Sequence, residues 1–166
     1  MPSPANFMGL AQHIAQWSKD GSTKCGSVIV RPNKSIASLG YNGFPQGIFD
    51  NPHYIRADDP QLRVEKLKRT IHAEMNALLF LPERQPELIM YVWPMMPCHR
   101  CAVHIIQAGI ACVVAPKGGP DRWEDSMKLS RSLFQEAGVK IVEIGYAIED
   151  ADRGMHIPEC DGSGDS

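Results

Sequence analysis

Residues 72–101 hold the pattern that most constrains this 166-residue chain. His72-Ala73-Glu74 is followed, 23 residues beyond Glu74, by Pro97-Cys98-His99-Arg100-Cys101. Met75, Leu78, Leu79 and Phe80 continue the first motif at helical spacing, so His72 stands at a helix start. Residues two apart on a helix do not share a face, which separates His72 from Glu74. A metal ligand and a proton carrier need that separation, because one touches the ion and the other stands beside it. Pro97 suits a position just before or at a first turn, and predicts a second helix start. Cys98 and Cys101 are i and i+3 there, so both thiolates can reach one ion. One nitrogen and two sulfurs form a donor set that Zn²⁺ takes. No fourth ligand is evident nearby in the sequence, and a three-ligand zinc site keeps a position for water, the mark of a catalytic centre.

H-x-E followed by P-C-x-x-C is the zinc-deaminase signature, in which the Glu is a general acid/base and not a ligand. The chain resembles the deoxycytidylate (dCMP) deaminase group of the cytidine deaminase superfamily. The resemblance rests on Ser22-Thr23-Lys24-Cys25-Gly26-Ser27-Val28-Ile29-Val30, Gly40-Tyr41-Asn42-Gly43-Phe44-Pro45, His72-Ala73-Glu74-Met75-Asn76-Ala77, Met90-Tyr91-Val92 and residues 97–110. It implies a three-layer α/β/α fold with a mixed five-stranded sheet. It also implies Zn²⁺ on His72, Cys98 and Cys101, with Glu74 as the catalytic proton carrier. The implied reaction is hydrolytic deamination of dCMP to dUMP and ammonia, in pyrimidine deoxynucleotide supply. A homo-oligomer, commonly a hexamer, and regulation by dCTP and dTTP are implied as well.

The candidate substrate-binding residues are Tyr41, Asn42 and Gly43, with Ala73 and Arg100 from the two motifs. Glycines in the corner at residues 40–47 allow close backbone approach, while Asn42 and the aromatic rings supply amide and ring contacts. The resemblance implies that Asn42 contacts the sugar or base. Arg100 reads equally as a phosphate contact or an exposed helix end. It stands where many relatives carry an acid, and Gln46 replaces a common basic residue. Those two departures keep other cytosine nucleotides open as substrates, such as dCTP or a modified cytosine. Trp93-Pro94-Met95-Met96 reads as a pocket wall or as core, and Trp123 with Arg122 as mouth or as packing.

Along the chain, residues 5–19 carry Phe7, Leu10, Ala11, Ile14 and Trp17 as one amphipathic helix stripe. Residues 25–31 and 35–41 read as a hairpin, turned at Pro32-Asn33. Residues 48–60 read as a loop. Arg56, Arg63, Lys66, Lys68 and Arg69 form a basic stretch, read first as a solvated helix face and second as reach toward a phosphate. Strands are predicted at 87–93, 110–115 and 139–144. The helix at 101–108, ending at Gly109, crosses between the first two, and a further helix covers 123–138. The deaminase domain is placed at residues 1–145. Residues 146–166 are read as an acidic, partly disordered tail.

Composition narrows the alternatives. The net charge is −2, but residues 147–166 hold six acids and one base, leaving 13 acids and 16 bases in the body. An excess of about three positive charges suits a phosphate but is small for gripping a nucleic-acid backbone. A tRNA- or DNA-editing deaminase is therefore disfavoured. A non-catalytic zinc-stabilised module is disfavoured on other grounds, because no fourth ligand is sequence-adjacent and the spacing of Glu74 would be coincidence. The five cysteines and the absence of a signal-like N-terminus argue against a disulfide framework. Cys25 and Cys112 read as buried thiols and Cys160 as exposed. No apolar run is long enough for a membrane span, and the expected compartment is the cytoplasm.

Overall fold

The computed structural model describes residues 1–55 and 59–145. The expected tail, with Cys160, and Arg56 fall outside the described residues. Helix α1 (Pro4–Ala15) opens on a capping box. Ser3 accepts from the Asn6 backbone while the Asn6 side chain accepts from Ser3, which satisfies two orphan N–H groups. Strands β1 (Gly26–Val30) and β2 (Ile36–Tyr41) form the hairpin. Then come α2 (Pro52–Ile55), α3 (Pro60–Arg69) and α4 (Ala73–Leu79). β3 (Leu88–Trp93), α5 (His99–Gln107) and β4 (Ile110–Pro116) follow. A 3₁₀ turn at Asp121–Trp123 leads into α6 (Glu124–Glu136), and β5 (Lys140–Ile144) closes the sheet.

The sheet has the order β2-β1-β3-β4-β5. β1 is antiparallel to β2 and β3, whereas β3, β4 and β5 run parallel through their crossover helices. This is the mixed five-stranded α/β/α sandwich expected. Side chains alternate along each strand, so the sheet feeds two cores. Val28, Val30, Tyr91 and Val114 meet Phe7, Met8, Ala11 and Ile14 of α1. Ile29, Met90, Val92 and Val113 meet α4, α5 and α6 on the other face, through Ala77, Ala102, Ile105 and Phe134. Gly40 matters to function because it lets α4 lie directly on β2. A methyl there would overlap the Ala73 carbonyl and the Ala77 amide.

Several expectations are corrected. Trp17 lies past the end of α1 and is 51% exposed, with its ring edge-on to His13 and Tyr41. The stripe ends at Ile14 because the helix stops at Ala15. Residues 48–60 are not wholly loop, since α2 and the start of α3 lie there; Asp59 caps α3 and Pro60 holds its first position. Lys66, read first as solvated, is 3% exposed. Cys112 is buried as expected but is disulfide-bonded and not a thiol. Among the described residues no helix is long and apolar enough to cross a membrane.

Candidate active site and metal centre

His72 caps α4 and Cys98 caps α5, each with an extended backbone, and Cys101 sits in the first turn of α5. The isolated bridge between Gly43 and Ile71 holds the residue before His72 by a pair of backbone hydrogen bonds, 2.8 and 3.1 Å. The Gly-rich corner therefore helps aim the histidine. His72 Nδ1 lies 3.5 Å from Cys98 Sγ and 3.3 Å from Cys101 Sγ. An ion about 2.0 Å from nitrogen and 2.3 Å from sulfur in tetrahedral geometry sets N and S about 3.5 Å apart. The three donor atoms all lie within 4.8 Å of one another, and no fourth ligand joins them among the described residues. Donor chemistry, spacing and the missing fourth ligand all fit a catalytic zinc.

Without the ion the three groups share protons. A hydrogen bond from Cys101 and a second contact with His72 hold the Cys98 thiol well below its ordinary range, at about 4. Cys101 is pushed up as the donor of that pair. The hydrogen bond to Cys98 raises His72. Both thiols must be deprotonated and the imidazole neutral to bind a metal, so uptake of zinc releases protons.

Glu74 stands in the first turn of α4 and is 6% exposed. Burial pushes its carboxyl up, against the opposing pull of His72. Glu74, His72 and Cys98 line one cavity that opens to solvent. Met95, Met96 and Met127 give it an apolar wall. The Trp123 ring lies edge-on to His72, with centroids 6.3 Å apart. Of the residues read as wall or mouth, Met95, Met96, Arg122 and Trp123 line the cavity, whereas Trp93 and Pro94 do not.

A family model described as the cytidine and deoxycytidylate deaminase zinc-binding region matches residues 1–117. The chain belongs to this family. An uncharacterized deaminase in the luxG 3′ region of Aliivibrio fischeri is 38% identical over 138 residues, covering 81% of this chain and 88% of that one. The human deoxycytidylate deaminase is 36% identical over 139 residues, covering 82% of this chain and 76% of the human protein. The structure of the apo dCMP deaminase from cyanophage S-TIM5 superposes with a TM-score of 0.65 at 25% identity, over 86% of this chain and all of the phage chain.

The five candidate substrate residues of the deaminase are dispersed. Asn42 lines the cavity. Its side-chain oxygen accepts from the Cys25 backbone at 2.8 Å and its amide donates to the Thr23 carbonyl at 2.9 Å, so it also clamps the loop before β1. Tyr41, Gly43, Ala73 and Arg100 are not in the lining; Ala73 is fully buried, while Tyr41 and Arg100 are exposed. His104, one turn along α5 from Arg100, is exposed and hydrogen-bonded to the Arg100 carbonyl at 2.7 Å.

Sequence reasoning missed Asp20, Ser22 and Thr23 as cavity walls, together with Leu67 and Thr70; these two line the cavity with Arg63 and Lys66, whose second reading was reach toward a phosphate, along one side of α3 and its C-cap. The i, i+3, i+4, i+7 spacing of those four was the available signal. Their polar character concealed it, because such a stripe otherwise reads as solvent-facing.

Proposed function

We propose that this deaminase hydrolyses dCMP to dUMP and ammonia, serving pyrimidine deoxynucleotide supply in the cytoplasm. The observation that carries the reading is the buried Glu74 carboxyl lining the same cavity as His72 and Cys98, two members of a His72/Cys98/Cys101 donor set that has no fourth ligand among the described residues. The substrate assignment draws on the deoxycytidylate deaminases of human and mouse, at 36% and 37% identity.

His72, Cys98 and Cys101 would hold the zinc, which when bound lowers the pKa of a water and supplies a nucleophile near neutral pH. Glu74 takes the proton released as water adds to C4 of the cytosine ring and delivers it to N3. It then takes the proton of the new C4 hydroxyl and passes it to the exocyclic amine, so that C4=O forms, the C4–N bond breaks and ammonia leaves. Burial suits Glu74 to this shuttle, because a raised carboxyl holds a proton between the two transfers. The methionines and Trp123 exclude bulk water, which strengthens every polar contact made inside.

Asn42 is the substrate contact best supported, since it lines the cavity. Tyr41, Gly43 and Ala73 flank lining residues in sequence, and Arg100 follows the Cys98 ligand; each is retained as a contact in a closed or assembled state. We assign the deaminase domain to residues 1–145, a homo-oligomer to the working enzyme, and dCTP and dTTP to its regulation. Ammonia release by the zinc-loaded protein from deoxycytidine, dCMP and dCTP, with Glu74→Ala as control, tests the reading. Glu74-dependent release from dCMP alone supports it. Release from dCTP instead, or from none of the three, rejects the substrate assignment.

A further inference from the structure

We infer that Arg63 and Arg122 form the anion-recognising part of this cavity and select a 5′-phosphorylated ligand over its nucleoside. The base and sugar of that ligand rest on the deoxycytidylate reading; the anion does not, because it follows from the charges that line the cavity.

The lining holds two acids, Asp20 and Glu74, and the cations Arg63, Lys66 and Arg122, besides the metal donors. Asp20 and Lys66 cancel each other: the ammonium lies 2.6 Å from Asp20 Oδ1, and both side chains are under a tenth exposed. Asp20 Oδ1 also accepts from the Ser22 and Thr23 backbone N–H groups at 2.7 and 3.1 Å. Lys66 spends a further donor on Ser22 Oγ at 3.1 Å. The net charge of the pair is therefore zero. Glu74 stands with the metal donors. The two arginines remain, and neither has a carboxylate partner among the described residues. Arg122 is held only by the neutral Thr23 hydroxyl, which accepts from its Nη2 at 3.3 Å.

Among the described residues, the other basic candidates are engaged or placed elsewhere. Lys68 and Arg69 are paired with Glu65 on the outward face of α3, at 2.9 and 2.6 Å. Arg100 is outside the lining. Arg63 comes from α3 and Arg122 from the turn before α6, so two separate elements each contribute an arginine to one lining. The metal donors are half-buried or buried, Arg63 is half-buried and Arg122 exposed. The surplus positive charge therefore sits toward solvent, where the charged end of a nucleotide can remain partly hydrated. A guanidinium offers forked donors that match phosphate oxygens, and two of them from different elements fix its position.

The test compares the zinc-loaded full chain with its Arg63→Gln, Arg122→Gln and double variants, and with Lys128→Gln as a charge control outside the cavity. Binding of dUMP and of deoxyuridine is measured by calorimetry, and kcat and KM for dCMP and deoxycytidine by ammonia release. Each single variant should weaken dUMP binding and raise the KM for dCMP by about 10- to 100-fold, the loss of one charge-assisted hydrogen-bond pair. Deoxyuridine binding should shift far less, and Lys128→Gln should behave as wild type. Inorganic phosphate should compete with dUMP on the wild-type protein, a readout that needs no variant. Equal weakening of dUMP and deoxyuridine, an unshifted dUMP affinity in the double variant, or no competition by phosphate would each overturn the inference. Failure to deaminate dCMP with arginine-dependent dUMP binding intact removes the substrate reading and leaves the phosphate site standing. Normal dCMP turnover by the double variant does the reverse.

Discussion

The metal donors and the charged wall share one cavity but are built in opposite ways. His72, Glu74, Cys98 and Cys101 come from two helix starts, and each pair is set by local spacing of two or three residues. Asp20 comes from the connection between α1 and β1, Arg63 and Lys66 from α3, and Arg122 from the turn before α6; Asp20 and Lys66 are 46 residues apart in sequence, Thr23 and Arg122 99. Chemistry is thus confined to short motifs whose geometry a helix start enforces. The charged wall is assembled from long-range contacts that only the folded chain brings together. Damage at the metal end should abolish function with little ambiguity, whereas damage at the wall should first cost stability or selectivity.

The largest effect is expected at the metal end. Cys101→Ala removes one of three donors, and a site with two protein ligands holds zinc poorly. Metal analysis should find about one zinc per chain in the wild type and a small fraction of that in the variant. Ammonia release should fall to background, and added chelator should bring the wild type to the same level. Retained zinc with retained turnover would place the catalytic ion elsewhere. Glu74→Gln is the sharper case because it spares the donors. Zinc content should hold while kcat falls about 10²- to 10⁴-fold, the usual worth of a proton-transfer group. A loss confined to KM would make Glu74 a binding residue instead.

That asymmetry also explains what the sequence discloses. The donors were legible because His, Cys and Cys at those spacings have few other uses, and because Pro97 and the run after His72 announce helix starts. The sheet was legible as well, since Val28-Ile29-Val30, residues 88–93 and residues 110–116 are apolar runs buried on both faces. Lys66 was not legible. Its neighbours Glu65, Lys68 and Arg69 are solvated, and nothing local says that one lysine among them turns inward to an aspartate 46 residues away. Asn42 was found for its place in the Gly-rich corner, but its hydrogen bonds to Cys25 and Thr23 depend on the fold. Trp17 misled because its spacing continues the α1 stripe past the point where the helix ends.

At the wall, Lys66 should behave as a buried ion and not as a surface charge. Lys66→Ala leaves Asp20 without its ammonium partner in a largely buried setting. Breaking such a pair from one side costs about 3–5 kcal/mol. Urea unfolding should show that loss as a lower midpoint with a similar slope. Pairing the change with Asp20→Asn should recover much of it, because the uncompensated charge is then gone. A loss under about 1 kcal/mol would mean that water reaches the pair and screens it, as at an exposed bridge.

Three residues along the same helix face outward, and there the expected effect is smallest. Glu65 takes hydrogen bonds from Lys68 and Arg69, at 2.9 and 2.6 Å, and these hold its carboxyl down at about 2. Its folded pKa is depressed below the ordinary 4.5. The ionised form is therefore favoured by folding, and that contribution is present above pH 4.5 and lost as pH falls toward 2. Solvent surrounds all three side chains, so screening by salt leaves little of it. Glu65→Gln should lower Tm by a barely measurable amount at neutral pH, less still in high salt, and the gap from wild type should close on acidification through that window. The contrast with Lys66, one residue along, then turns on solvent access alone: both positions carry ion pairs, and only the buried one should register strongly in an unfolding curve. A Glu65 effect rivalling that of Lys66 would show that the outward face of α3 is covered in the working enzyme, as it would be if a second copy of the chain packed against it.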